Sequence, residues 1–129
     1  MKFKYTILYV DDVTDTLNFY EKAFNLEKGM LHESGDYGEL NTGNTILSFS
    51  SIKLMKDLGK NPIKPNSNAH SFEIAFETDE VEAALAKALT AGAILVQEAK
   101  QMPWGQTVAY VTDTNGFLVE ICSPVVTQL

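Results

Sequence analysis

Asp11, Val13, Leu17 and Leu26 return as Asp79, Val81, Leu85 and Ile94, all at one offset of 68 positions. A chain that repeats residue types at a constant spacing of this length carries two copies of one supersecondary unit, so any fold assigned to the first copy must also suit the second. In the first copy, residues 3–10 are a run of aromatic and β-branched residues, which predicts a strand leading directly into Asp11-Asp12. Those two carboxylates suit the positive end of a helix dipole, and Val13, Leu17, Tyr20 and Phe24 then line one helical stripe. Strand-like stretches follow at about 26–34, 37–41 and 45–51, divided by turns at Gly35-Asp36 and Thr42-Gly43-Asn44.

The second copy has the same order. Residues 71–78 predict a strand, Asp79-Glu80-Val81-Glu82 a capping box, and Val81, Leu85, Ala88 and Leu89 a helical stripe stopped at Gly92. Strands near 94–100, 106–112 and 117–123 complete it, the last two joined through the hairpin signal Asn115-Gly116. The expected class is therefore α+β, one domain over residues 1–129 made of two βαβββ repeats, about 1–51 and 70–125. The connection, 52–69, holds Lys53, Lys56, Lys60, Lys64, Pro62 and Pro65. It reads either as a solvated linker with a short helical turn around 54–58 or as a mobile lid.

Size and charge limit the function. A length of 129 residues is that of an ordinary single domain that needs no staples, and the 45% hydrophobic and 21% charged content is that of a soluble globular chain. No apolar run approaches the roughly 18 residues of a spanning helix, and the Lys-containing start runs into a strand rather than a signal peptide, so a cytoplasmic location is expected. The net charge is −7, and all ten basic residues are Lys. Such a surface repels nucleic acid and anionic membranes, and the missing guanidinium removes the best clamp for an anionic ligand. With Cys122 as the single cysteine, a disulfide framework and a Cys-cluster zinc site are excluded.

Two βαβββ units in a chain of this length resemble the vicinal oxygen chelate superfamily, which includes glyoxalase I, bleomycin resistance proteins, fosfomycin-modifying enzymes and extradiol dioxygenases. The resemblance is carried by Tyr5-Thr-Ile-Leu-Tyr-Val-Asp-Asp, by Leu17-Asn-Phe-Tyr-Glu-Lys, and by the run from Trp104-Gly-Gln-Thr through Asp113-Thr-Asn-Gly-Phe-Leu-Val-Glu120. It implies curled half-barrel sheets around a ligand cavity, and a homodimer. It also implies where a metal would bind: on the first and last strands of each unit, usually through His or Gln and Glu. Those positions here are Tyr5, Ser48, Glu73 and Glu120. Only the two glutamates are ordinary ligands, and the imidazole that normally accompanies them is missing. His32 and His70 read as surface residues. No metal and no cofactor are expected.

Period-two alternation extends the concave face from these positions: Ile7 and Tyr9 follow Tyr5, Ala75 and Glu77 follow Glu73, Ile46 and Ser50 flank Ser48, and Leu118 and Cys122 flank Glu120. Trp104 would either rim the pocket or anchor its loop on the core, and Cys122 reads better as a small buried residue than as a nucleophile. The expected ligand-binding set is Tyr5, Ile7, Tyr9, Ser48, Glu73, Glu77, Trp104, Leu118, Glu120 and Cys122. An aromatic and acidic pocket of this kind favours a cationic or flat aromatic small molecule. Two functions are therefore expected as alternatives. One is a metal-free binding protein of the glyoxalase/bleomycin resistance type. The other is a glyoxalase-like lyase or isomerase, or a dioxygenase-related enzyme, with Glu73 and Glu120 as metal ligands or as a catalytic acid/base pair.

Overall fold

The computed structural model describes residues 1–125. The chain forms two compact units, Met1–Lys64 and Pro65–Leu129. The first holds β1 (Tyr5–Val10), α1 (Val13–Phe24), β2 (Glu27–Leu31), β3 (Tyr37–Asn41), β4 (Ile46–Ser51) and α2 (Ile52–Asp57). The second holds β5 (Ile74–Glu77), α3 (Val81–Thr90), β6 (Ile94–Gln101), β7 (Thr107–Thr112) and β8 (Leu118–Cys122). Each unit builds one four-stranded sheet, in the orders β1-β4-β3-β2 and β5-β8-β7-β6. First and last strands of each unit pair in parallel and the remaining neighbours are antiparallel, so both sheets are mixed and open. The class is α+β with two βαβββ units, as the repeat requires.

One face of each sheet packs on its helix. In the first unit Leu8, Val10, Leu40 and Phe49 are buried with Leu17 and Tyr20 of α1, and the rings of Tyr20 and Phe49 lie 5.1 Å apart. In the second, Ala109, Val111, Val119 and Ile121 are buried together with Val81, Leu85 and Ala88 of α3. Gly38 lies opposite Phe49, and the corresponding pair in the second unit is Ala109 opposite Ile121. A Cβ on Gly38 would come within 2.6 Å of Leu17 Cδ1 and 3.1 Å of Val13 Cγ1, so the close packing of α1 on β3 beside the larger Phe49 needs a residue with no side chain there. Volume is conserved between the units while the residues are not.

Helix ends follow local chemistry. Asp12 caps α1 by accepting the Asp15 N–H at 2.9 Å, and Asn25 closes the helix in the left-handed region at φ 55°. Gly92, at φ 115°, ends α3, with Ala93 N–H donating to the Ala88 carbonyl at 3.0 Å and Gly92 N–H to that of Leu89 at 3.1 Å. The predicted capping box at the other end does not form. Thr78 donates its backbone N–H to the Cys122 carbonyl and accepts the Glu80 N–H on its hydroxyl at 3.2 Å, which delays the helix by one residue and leaves Glu80 at the cap position without a side-chain bond.

Other boundaries differ from the sequence reading in the same way. The strand expected over 71–78 is restricted to Ile74–Glu77, and the one over 26–34 to Glu27–Leu31. The helical turn expected at 54–58 begins earlier, at Ile52, because the Ser51 hydroxyl accepts the Leu54 N–H and donates to Asp36. Ile52 and Met55 are buried, so the first part of the connection belongs to the core of the first unit. Asn115-Gly116 is not a two-residue turn either. Asp113, only 2% exposed, accepts the N–H groups of Asn115, Gly116 and Phe117 on one carboxylate oxygen at 2.8–2.9 Å and organises a longer loop.

Candidate functional site

The face of each sheet turned away from its helix carries the polar and aromatic residues singled out from the sequence. In the first unit the register pairs Tyr5 with Ile46, Ile7 with Ser48 and Tyr9 with Ser50, so these six share that face as alternation predicts. Tyr5 and Ile7 are 44% and 43% exposed, whereas Ser48 and Ser50 are buried beneath their neighbours. β3 adds two residues that the sequence reading missed, Glu39 opposite Ser48 and Tyr37 opposite Ser50. The Tyr37 hydroxyl donates to Glu39 Oε2 at 2.7 Å. Burial raises the phenol above its ordinary pKa; a hydrogen bond with Ser48 is the next effect and opposes it, and the Glu39 carboxylate adds to the rise. The rings of Tyr5 and Tyr9 already attract cations, with the Lys4 and Lys60 ammonium groups 5.9 and 5.8 Å from their respective centroids.

The second unit has the same frame with different chemistry. Ala75 lies opposite Glu120, Glu77 opposite Cys122, and Leu118 opposite Thr112, all on the face away from α3. Glu73 stands just before β5 rather than within it. Tyr110, opposite Glu120, was also missed, and its hydroxyl donates to Glu120 Oε1 at 3.2 Å. Burial first, then the Glu120 and Glu73 carboxylates, push its pKa up to about 12, so Tyr110 is a hydrogen-bond donor at every physiological pH. That both glutamates act on one phenol brings Glu73 and Glu120 to the same patch. Cys122 is 8% exposed, and burial followed by Glu120 and Glu77 raises its thiol pKa, which disfavours a nucleophilic thiolate.

A signal for the missed residues did exist in the sequence. Once the hairpins are drawn, the middle strands must supply every second residue to the same face, and Tyr37, Glu39 and Tyr110 are those residues. Trp104 is 56% exposed and does not anchor its loop on the core. Its indole N–H donates to Gln106 Oε1 at 2.8 Å, and the Gln106 amide donates in turn to the Ser123 carbonyl. His70 is exposed, and so is His32, whose ring is paired with Ser34.

The residues at the superfamily's metal positions do not fit a metal centre. Two of the four are a phenol and an alcohol, the Ser48 hydroxyl being directed to the Thr6 carbonyl at 3.5 Å. Among the described residues no three His, Cys, Asp or Glu side chains converge closely enough to hold an ion. No helix among them is long and apolar enough to cross a membrane.

Comparison with known proteins agrees with this architecture. A glyoxalase-related enzyme from Fulvimarina pelagi superposes with a TM-score of 0.82 at 20% identity, over 96% of this chain and 88% of that one. A glyoxalase/bleomycin resistance protein/dioxygenase family enzyme from Burkholderia phytofirmans PsJN gives 0.82 at 17% identity, over 98% and 100%. TioX from Micromonospora sp. ML1 gives 0.72 at 18% identity, over 95% and 98%. At these identities the likeness is one of fold. No curated protein matches the chain in sequence. The family model of the glyoxalase-like domain matches residues 3–126, nearly the whole chain. The chain therefore belongs to the glyoxalase-like family of the vicinal oxygen chelate superfamily.

Proposed function

We propose that this chain is a small-molecule-binding protein of the glyoxalase/bleomycin resistance type that works without a metal and takes a cationic or aromatic ligand. The observation that carries this reading is the acidic patch on the open face of the second sheet. Glu73, Glu77 and Glu120 stand there with Tyr110, and no ion pair among the described residues neutralises any of them. Lys100 shares that face by register, opposite Val108, without reaching a carboxylate. On the first sheet, the tyrosine rings that hold Lys4 and Lys60 support an affinity for cations. Within the second sheet alone, a partly desolvated cation–π contact with the Tyr110 ring contributes about 1–2 kcal/mol, and a hydrogen bond to the charged Glu120 about 1.5–3 kcal/mol. Together they separate a cation from an anion by roughly a hundredfold or more, since about 1.4 kcal/mol is tenfold.

The enzyme reading rests on the coupling of Glu73 and Glu120 to one phenol. The groups beside them weaken it: Tyr110 and Cys122 both hold their protons more tightly than usual and supply no acid or base near neutral pH. A second copy of the chain is proposed as a partner, because β6 is a sheet edge exposing Ile94, Leu95 and Val96. The test of function is a calorimetric screen of benzylammonium, benzyl alcohol and benzoate, matched in size and differing in charge. Benzylammonium binding best, and losing that advantage in Glu120→Gln, supports the reading; benzoate binding best overturns it. Elemental analysis returning one bound transition metal per chain would overturn the metal-free part.

A further inference from the structure

Gln97 carries the one buried side-chain nitrogen or oxygen among the described residues that has no hydrogen-bond partner, its amide nitrogen Nε2. Buried donors are paired almost everywhere in folded proteins, so an orphan calls for an explanation. Its place in the sheet supplies one. Leu95 lies opposite Val111 and Gln97 opposite Tyr110, two residues along β6 against one along β7, so Val96 is an extra residue and the strand is bulged there. Without the bulge, period-two alternation would keep Gln97 on the same face as Leu95 and Val111, towards the helix. With it, Gln97 is turned to the open face, where bulges characteristically re-aim a side chain beside a site. The register then sets Gln97, Tyr110, Glu120 and Ala75 in a single row across four strands.

Within that row the internal hydrogen bonds are one-sided. Tyr110 spends its proton on Glu120, and nothing accepts from Gln97. We infer that Gln97 is a specificity-determining residue of the site proposed above: its carboxamide turns to donate to a carbonyl or ether oxygen of a ligand whose cationic or N–H end is held by Glu120. The swing breaks no hydrogen bond of the nitrogen, so the bond to the ligand is gained without an internal loss. Two strand spacings separate Gln97 from Glu120, about 9–10 Å. The ligand class is therefore a flat molecule with a donor or ammonium group at one end and an acceptor oxygen at the other, of roughly the length of a para-disubstituted benzene. This inference rests on the binding reading and adds the second end of the ligand to it.

The experiment has a ligand-free arm and a ligand arm. Gln97→Met removes the unpaired buried amide nitrogen while keeping the side chain's length, so the melting temperature of the ligand-free protein should rise by about 2–5 °C; a fall means that the amide has an internal structural role and overturns the inference whatever binds. In the ligand arm, 4-acetylbenzylammonium is compared with 4-isopropylbenzylammonium, which has the same shape and no acceptor. Wild type should prefer the acetyl compound about fivefold or more, and Gln97→Met should bind both equally, still preferring either to the uncharged 4-ethylacetophenone. If the acetyl preference survives in Gln97→Met, or is absent from the wild type, Gln97 does not read the acceptor and this inference falls, while the cation preference is decided separately by the uncharged 4-ethylacetophenone. If neither ammonium compound outbinds the uncharged one, the cation reading falls and takes this inference with it.

Discussion

The two units share one frame and spend it differently. On the open face of the first sheet, the row Glu39–Ser48–Ile7 crosses β3, β4 and β1; the corresponding row of the second sheet is Tyr110–Glu120–Ala75 across β7, β8 and β5. The first unit keeps its carboxylate on the middle strand and rings on the first strand, and the second keeps its carboxylates on the first and last strands. Strand pairing and the helix face tolerate such an exchange because only the buried side enters the core. The same freedom appears at the β3–β4 and β7–β8 connections. Thr42 accepts one N–H, from Leu47 at 3.0 Å, where Asp113 accepts three.

That last contrast gives the largest expected effect. Asp113→Ala leaves three N–H groups without their acceptor and should destabilise the protein by about 3 kcal/mol or more, against about 1 kcal/mol for Thr42→Ala. Denaturant unfolding of the two variants measures it, and equal losses would mean that the carboxylate does no more than the alcohol. Next comes the volume exchange. Gly38→Ala forces the Leu17 and Val13 side chains to move and should cost about 1–3 kcal/mol. Gly38→Ala combined with Phe49→Leu should recover part of that loss, since the second unit already uses Ala109 with Ile121. No recovery in the double mutant would break the equivalence of the two pairs.

These two pairs also mark what was legible in the sequence. The 68-residue offset and the helical stripes determine the elements and their order, because they are imposed by burial, which has a fixed period. The Asp11-Asp12 start of α1 and the Gly92 stop of α3 were legible too, but strand ends and the N-cap of α3 were not, because Thr78 and Asp79 compete for the same N–H groups and only the pairing of β5 with β8 decides between them. The site was half legible. Alternation placed Tyr5, Ile7, Tyr9, Ser48, Glu77, Glu120 and Cys122 correctly by face, but Gln97 reaches the face through a bulge that has no local signature, and Tyr110 required the hairpin register.

A smaller effect concerns ligand charge. Glu73→Gln should weaken benzylammonium several-fold and leave benzyl alcohol unchanged, whereas Glu39→Gln in the first unit should change neither by more than about twofold. Titration calorimetry with both compounds decides whether the two open faces differ in this way. The smallest effect is spectroscopic. In an alkaline titration followed by tyrosinate absorbance, Tyr110 should ionise only near 12, and Glu120→Gln should bring it down. A phenol whose pKa is raised by folding contributes stability that is complete below about 10 and lost as pH rises from there towards 12. Ionisation of Tyr110 at the ordinary phenol value of about 10 would overturn this expectation.

The single cysteine and the single tryptophan, Cys122 and Trp104, both belong to the second unit. Thiol labelling and indole fluorescence therefore watch the same half of the chain, and coincident transitions from these two probes say nothing about whether the other half melts with it. Cys122, shielded and reluctant to ionise, should react only when β8 opens, so its labelling rate is a clock for local unfolding of that sheet. A tryptophan introduced at Tyr20, the most deeply buried ring of α1, would supply the missing view of the first unit and turn the repeat into a direct measurement of how strongly its two copies cooperate.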